Sequence, residues 1–322
     1  MKNEVETSEN EFDADDLNLI SLAREYSDED KAIALFESFR WPNGKPVCPH
    51  CKHDEVYKLT SKASTKGRSV IRKGLYCCSA CRKTFTAKVG TVMESSHIPV
   101  STWMMALFLI CSSKKSISAH QLHRMLKITY KSAWFLAHRI RFTFSDDDTK
   151  LKGVVEVDET FVGGKGESKT SFLRKTPVVV LLERGGKAKT RVISNVSQHN
   201  LGKVLKECVD KSATVNTDEH VGYKAPLKEF ARHDTVNHSK DEYHRVNADG
   251  TVSTTNSSES FFSLLKRGVY GSWHHVSREH LPKYSNEFAF RWSHSKITDG
   301  ARMTVAIPLF DGKRLLYRQP TA

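Results

Sequence analysis

The chain has 322 residues, 39% hydrophobic and 27% charged, enough apolar material for packed cores in two or three domains. Its formal net charge is +13, but the first 30 residues hold eleven acids against Lys2 and Arg24, a net of −9, which leaves +22 on the other 292. So basic a body points to a polyanionic partner, nucleic acid before others, although charge alone is equally compatible with a solubilising surface. The acidic start lacks the apolar core of a signal peptide. The most apolar run, Trp103 to Cys111, is about half a membrane span, so no membrane segment is expected. Seven cysteines without a secretory signal read as reduced thiols, some holding a metal, in a cytoplasmic protein.

Residues 1–16 are acidic and expected to be disordered. Residues 17–40 have helical spacing (Leu19, Leu22, Ala23, then Ala32, Leu35, Phe36, Phe39), and Trp41-Pro42-Asn43-Gly44 forms a loop. From 45 to 93 the pattern is short and strand-like and carries Cys48-Pro49-His50-Cys51 and Cys78-Ser79-Ala80-Cys81. Two-residue spacing lets both thiolates of a knuckle face one ion, and two knuckles complete a tetrahedral zinc site of structural type. Cys77, Cys111 and Cys208 read as ordinary core or surface residues. The bases around the pairs, Lys58, Lys62, Lys66, Arg68, Arg72 and Lys73, suit a DNA-contacting ribbon or a solvated loop.

Residues 100–143 read as helices. Within them Ser116 to Arg141 fits a helix-turn-helix around Lys127-Ile128-Thr129. Leu122, Met125 and Leu126 face inward on the first helix, and Ala133, Trp134, Ala137 and Ile140 on the second. Lys131, His138, Arg139 and Arg141 are then expected outward, toward a DNA groove; any compact helical hairpin would bury a similar stripe. From 153 the pattern turns to strands (Val154–Val162, Pro177–Glu183, Thr190–Ser194 and Ala213–Thr217) with a helix at Leu201–Asp210. This predicts a mixed α/β domain, followed by an irregular loop over 234–255 and helices at 256–267 and 277–292.

Strand alternation puts Glu156 and Asp158 on one face and Glu159 on the other. Asp218 follows a second β-branched run, so Asp158 and Asp218 have the settings of strand-borne ligands for a hard divalent cation, or of strand ends in solvent. In Asn256-Ser257-Ser258-Glu259-Ser260-Phe261-Phe262-Ser263-Leu264-Leu265-Lys266-Arg267, Asn256, Glu259 and Lys266 lie near one helical face. The competing reading makes Asn256 an N-cap and Glu259 its capping-box partner, tied to backbone.

Taken together these motifs resemble a DDE transposase, more narrowly the ISXO-like insertion-sequence transposases. The resemblance runs from about residue 18 to the C-terminus. Its parts are Arg40-Trp41-Pro42-Asn43-Gly44 before CPHC, the segment Cys78 to Phe85, Gly90-Thr91-Val92, the 116–141 hairpin and VEVDETFVGG. They continue with Asp218, Gly222-Tyr223, Asn237-His238, NSSESFFSLLKRGVYGSWHHVS, and Tyr284 to Arg291.

The resemblance implies an RNase H-like catalytic domain preceded by a zinc ribbon. The expected segments are 1–16 (acidic tail), 17–95 (helix and ribbon), 96–148 (helix-turn-helix-like) and 149–322 (catalytic). It further implies that Asp158, Asp218 and Glu259 bind two Mg²⁺ or Mn²⁺ ions for strand cleavage and transfer, and that Lys266 contacts phosphate. Asn256 is held in reserve as third ligand and Glu156 as an auxiliary neighbour. Lys131, Arg139, Arg141, Lys266 and Arg267 are the expected DNA contacts, Cys48, Cys51, Cys78 and Cys81 the ligands of one Zn²⁺. The implied partner is double-stranded DNA, element ends and target, bound by a homo-oligomer in the cytoplasm on the nucleoid. The rival expectations are a non-catalytic zinc-ribbon regulator derived from a transposase and a structure-selective nuclease of the same fold.

Overall fold

The computed structural model describes residues 14–59, 73–145, 148–163, 175–236, 244–247 and 250–317. The acidic tail up to residue 13, Lys62, Lys66, Arg68, Arg72, Gly164, Asn237 and His238 lie outside the described residues. The chain divides into two compact units, Met1–Ser112 with Ile297–Gly312 and Ser113–Lys296 with Lys313–Ala322. These cut the chain at other points than the segments expected from the resemblance. The long apolar helix belongs to the first unit and the hairpin that follows it to the second, and residues 297–312 return to the first.

In the first unit, α1 (Leu19–Glu25) starts on a capping box at Asn18, and α2 (Glu29–Arg40) starts on Asp28, whose side chain accepts from the amides of Asp30 and Lys31. Asp15 accepts from Thr298 Oγ1 at 2.7 Å, so the expected disorder does not reach the end of the tail. A three-stranded antiparallel sheet, β1 (Val56–Lys58), β2 (Leu75–Cys78) and β3 (Thr84–Thr86), follows. Helix α3 (Val100–Ser112) is apolar nearly all round and its N-terminus is closed by Glu29, which accepts from the amides of Val100 (2.8 Å) and Ser101 (3.0 Å). Phe310 packs between Phe36 and Trp103, centroids 6.4 and 6.0 Å away, and α9 (Asp299–Ala306) packs on α3.

The second unit opens with the expected hairpin, α4 (Ala119–Leu126) capped by Ser118 and α5 (Tyr130–Thr143) capped by Thr129. Lys127 between them takes the left-handed conformation at φ 55°. A five-stranded mixed sheet has the order β6-β5-β4-β7-β8. Its strands are β4 (Val154–Val162), β5 (Thr176–Glu183), β6 (Ala188–Val192), β7 (Thr214–Thr217) and β8 (Arg232–Thr235). The central strand β4 runs antiparallel to β5 and parallel to β7.

Alternation along β4 separates two cores. Val155 and Val157 join Val179, Leu181 and Val215 under α6 (Gln198–Cys208). Val162 joins Val178, Val180 and Leu182 under α7 (Asn256–Arg267) and α8 (Leu281–Ser293). Phe261, Phe262 and Leu265 anchor α7 there, each burial worth roughly 1.5–3 kcal/mol. The segment 234–255, expected as an irregular loop, holds the last two residues of β8 and a hairpin of β9 (His244–Val246) and β10 (Val252–Thr254). Their short polar sequences bury no apolar face of their own, so alternation gave no signal for them.

Candidate active site

The parallel register of β4 and β7 pairs Val154 with Thr214, Val155 with Val215 and Glu156 with Asn216. Carried two residues further, it sets Asp158 opposite Asp218, just past the end of β7. Neighbouring strands lie about 4.8 Å apart, so the two carboxylates share one face of the sheet, Asp158 in the middle of β4 and Asp218 one residue past β7. Both are half-buried. Asp158 Oδ1 accepts from the Glu159 amide at 2.7 Å, and Asp218 Oδ1 from the His220 amide at 3.0 Å.

Burial pushes the Asp158 carboxyl up to about 7, and the negative charges of Glu159, Asp218 and Glu259 add to that against the Glu159 amide, which lowers it. A carboxylate so placed is electrostatically uncompensated, and a hard divalent cation is the group that would stabilise it. Asp158, Asp218 and Glu259 offer carboxylate oxygens, the donors that Mg²⁺ or Mn²⁺ takes, although among the described residues only the four cysteines bring their ligand atoms within 4.8 Å of one another. Glu159 points to the other face, as expected, where it accepts from the Tyr223 hydroxyl. Burial also raises Glu159, which the Tyr223 bond partly offsets, and raises Tyr223 well above its ordinary value.

Helix α7 brings the third acid. Its N-cap is Thr255, Asn256 is the first helical residue, and no side chain of the N-cap bonds the first turn. The capping-box reading of Asn256 and Glu259 is thereby excluded. Both are exposed, and the charge of Glu259 reaches Asp158. Lys266 lies two turns on, about 10 Å along the same face, exposed beside Arg267, which donates to Ser263 Oγ at 2.6 Å. The helix continues into a wider turn at Gly268–Trp273. Glu156, held in reserve as an auxiliary, is 1% exposed and bonded at both oxygens. Asn216, its register partner, is also buried, with neither amide atom bonded among the described residues.

The four cysteines of the two knuckles converge in the first unit. Sγ of Cys48 lies 3.7 Å from Sγ of Cys81, Sγ of Cys51 3.6 Å from Sγ of Cys78, and all four fall within 4.8 Å of one another. A tetrahedron with Zn–S near 2.3 Å needs about 3.8 Å between sulfurs, so the set fits zinc. The knuckles repeat one geometry: the amides of Lys52 and Arg82 donate back to the carbonyls of Cys48 and Cys78, with left-handed φ at both (64° and 59°). Cys77, Cys111 and Cys208 are buried, as expected of core residues. Of the ribbon bases, Lys58 pairs with Glu37 (3.3 Å) and Lys73 with Asp30 (2.6 Å).

The expected outward face of α5 is corrected. Lys131 is exposed, its Nζ 4.9 Å above the Tyr317 ring. His138, Arg139 and Arg141 are buried at 2%, 6% and 1% exposure. Arg141 Nε donates to Glu287 Oε2 on α8, and its Nη2 donates to Ser116 Oγ (3.3 Å) and the Ile117 carbonyl (3.1 Å). Arg291 grips the other oxygen of Glu287. Burial lowers His138 to about 3, helped by the charges of Arg141, His280 and Lys283. The helix is buried on more than one side because α8 packs on it, and Met125 on α4, expected inward, is 48% exposed.

Among the described residues no helix is long and apolar enough to cross a membrane. Residues 150–293 match the ISXO2-like transposase domain and residues 27–84 the transposase zinc-ribbon domain. A protein of Halobacterium salinarum (strain ATCC 700922 / JCM 11081 / NRC-1), described as an uncharacterized protein in transposable element ISH50, is 30% identical over 285 residues, 82% of this chain and 90% of its own. A solved structure, the simian T-cell lymphotropic virus intasome in complex with PP2A regulatory subunit B56 gamma, aligns over 61% of this chain and 73% of its own, at 11% identity and a TM-score of 0.30, too low to carry weight. A mixed α/β domain with aspartates at its central strands, preceded by a four-cysteine ribbon, agrees with both matched domains and with the relative from a mobile element, and the chain belongs to the ISXO2-like transposases of insertion sequences.

Proposed function

We propose that the chain cleaves and joins DNA strands at the ends of its own mobile element, acting as a homo-oligomer in the cytoplasm on nucleoid DNA. The observation that carries this reading is that the β4–β7 register, extended two residues past Glu156 and Asn216, sets Asp158 opposite Asp218, with the charges of Asp218 and Glu259 both reaching Asp158. When bound there, divalent cations supply activation of the attacking water or 3′-hydroxyl and neutralisation of charge at the phosphodiester. Asp158, Asp218 and Glu259 hold them, with Asn256, exposed one turn earlier on α7, the reserve for the third position. Lys266 and Arg267, exposed on the same helix, bind the phosphates of the reacting strand, and Lys131 adds a contact on the hairpin. Cys48, Cys51, Cys78 and Cys81 hold one structural Zn²⁺.

The test uses a duplex carrying the inverted repeats that flank the encoding gene. Asp158→Ala and Asp218→Ala each abolish Mg²⁺-dependent cleavage while repeat binding stays within a few-fold of wild type. Cleavage retained in both variants overturns the reading. Specific binding by the wild type without nicking in Mg²⁺ or Mn²⁺ favours the regulator instead, and cleavage at junctions with no preference for the repeats favours the nuclease.

A further inference from the structure

Helix α7 carries Glu259 in its first turn, where amides must find acceptors outside the helix. The Asn256 amide donates to Thr254 Oγ1 at 3.1 Å, and the Thr255 side chain caps nothing. The Ser257 amide donates to Glu156 Oε2 at 3.1 Å, from a strand 101 positions away in sequence. The other oxygen of Glu156, Oε1, accepts from Arg184 Nη2 at 3.3 Å, and Arg184 Nη1 donates to the Val252 carbonyl at 2.9 Å. One buried carboxylate thus ties together β4, the residue after β5 and the N-terminus of α7, and through Arg184 the strand leading into that helix.

The geometry points to Glu156 as a positioning residue: it caps the catalytic helix from the strand that bears Asp158 and so sets Glu259 against Asp158 and Asp218. This inference rests on the transposase reading for its consequence, although the clasp itself does not. Apolar packing of Phe261, Phe262 and Leu265 holds α7 to the sheet but fixes its rotation and axial position only loosely, since aliphatic contacts are non-directional. A hydrogen bond to a first-turn amide is directional, and a carboxylate at a helix N-terminus also meets the favourable end of the dipole. Glu156 and Asp158 stand two residues apart on one strand face, so their separation is set by β geometry and is transmitted to α7.

The experiment compares the full-length wild type with Glu156→Ala and Glu156→Gln in two readouts, Mn²⁺ titration followed by electron paramagnetic resonance and amide hydrogen exchange over peptides spanning 252–262. Gln keeps an acceptor for the Ser257 amide; Ala does not. In the Ala variant the half-saturating Mn²⁺ rises by about tenfold or more, the scale on which residues supporting metal ligands act, and in the Gln variant it stays within about threefold of wild type. The Ala variant also speeds exchange in the first turn of α7 while leaving β5 protected, a local change that global destabilisation would not produce. Equal Mn²⁺ affinity in wild type and Ala, or a Gln variant as weak as Ala, overturns the proposal. Should the Ala variant not fold, the wild type decides: a Ser257 amide exchanging at the unprotected rate overturns the clasp. A wild type that binds no Mn²⁺ or does not cleave repeats sinks the transposase reading, and the exchange arm still judges the clasp separately.

Discussion

A guanidinium buried to 1% exposure survives only if its charge and donors are met, and Arg141 has Glu287, Ser116 and the Ile117 carbonyl to meet them. Glu287, itself fully buried, is held below the ordinary carboxylate range: burial raises it, and Arg291 and Arg141 more than reverse that. Arg141→Ala leaves Glu287 with only Arg291 and Ser116 in a dry site and is expected to cost about 3–5 kcal/mol, read as a lower denaturation midpoint. Lys131→Ala, at an exposed position, should change stability by less than about 0.5 kcal/mol. A pair of equal, small effects would return Arg141 to the surface role that its sequence suggested. Nothing local distinguishes the two bases on α5, because a Lys or Arg on a helix has the same appearance whether its partner is solvent, phosphate or a carboxylate 146 residues away.

At the scale of elements, strands of three or four residues such as β1, β2 and β3 do not stand alone, and the ribbon needs its metal as a cross-link. Each chain should release one Zn²⁺ to a chelator, and the amides of 73–93 should then lose exchange protection while those of β4 and β5 keep theirs. Cys48→Ser should have the same effect without chelator. A ribbon still protected after the zinc has been withdrawn would contradict the role given to the four thiols. The elements that alternation and helical spacing specify most strongly were legible: β4 spans Val154–Val162 and α7 spans Asn256–Arg267, both as expected. Helix α9 and the start of β8 were not anticipated, and the end of β8 and the β9–β10 hairpin were expected as loop. Their pairing is supplied by neighbours, Thr217 and Asn216 for β8 and each other for the hairpin, and pairing partners leave no mark on a short polar segment.

For the whole molecule, the +22 borne by residues 31–322 sets how DNA affinity depends on salt. Neutralised phosphates release counterions, so a protein making six to ten such contacts loses about 10³–10⁵ in affinity between 50 and 200 mM salt. Binding to an element end, followed by fluorescence anisotropy, should show a slope in that range, and Lys266→Ala should reduce it by about one. A slope near zero would mean that the basic surface is merely solubilising. By itself the sequence determined the thiol knuckles, the face shared by Glu156 and Asp158, and the spacing of Glu259 to Lys266, because these follow from the two-residue reach of a knuckle and the periods of strand and helix. Only the tertiary structure decided that Asp158 and Asp218 fall in register, that Glu156 closes the N-terminus of α7, and that Arg139 and Arg141 lie inside. Each of those depends on which distant segment arrives as a neighbour, and burial and hydrogen bonding are properties of that arrival rather than of the local chain.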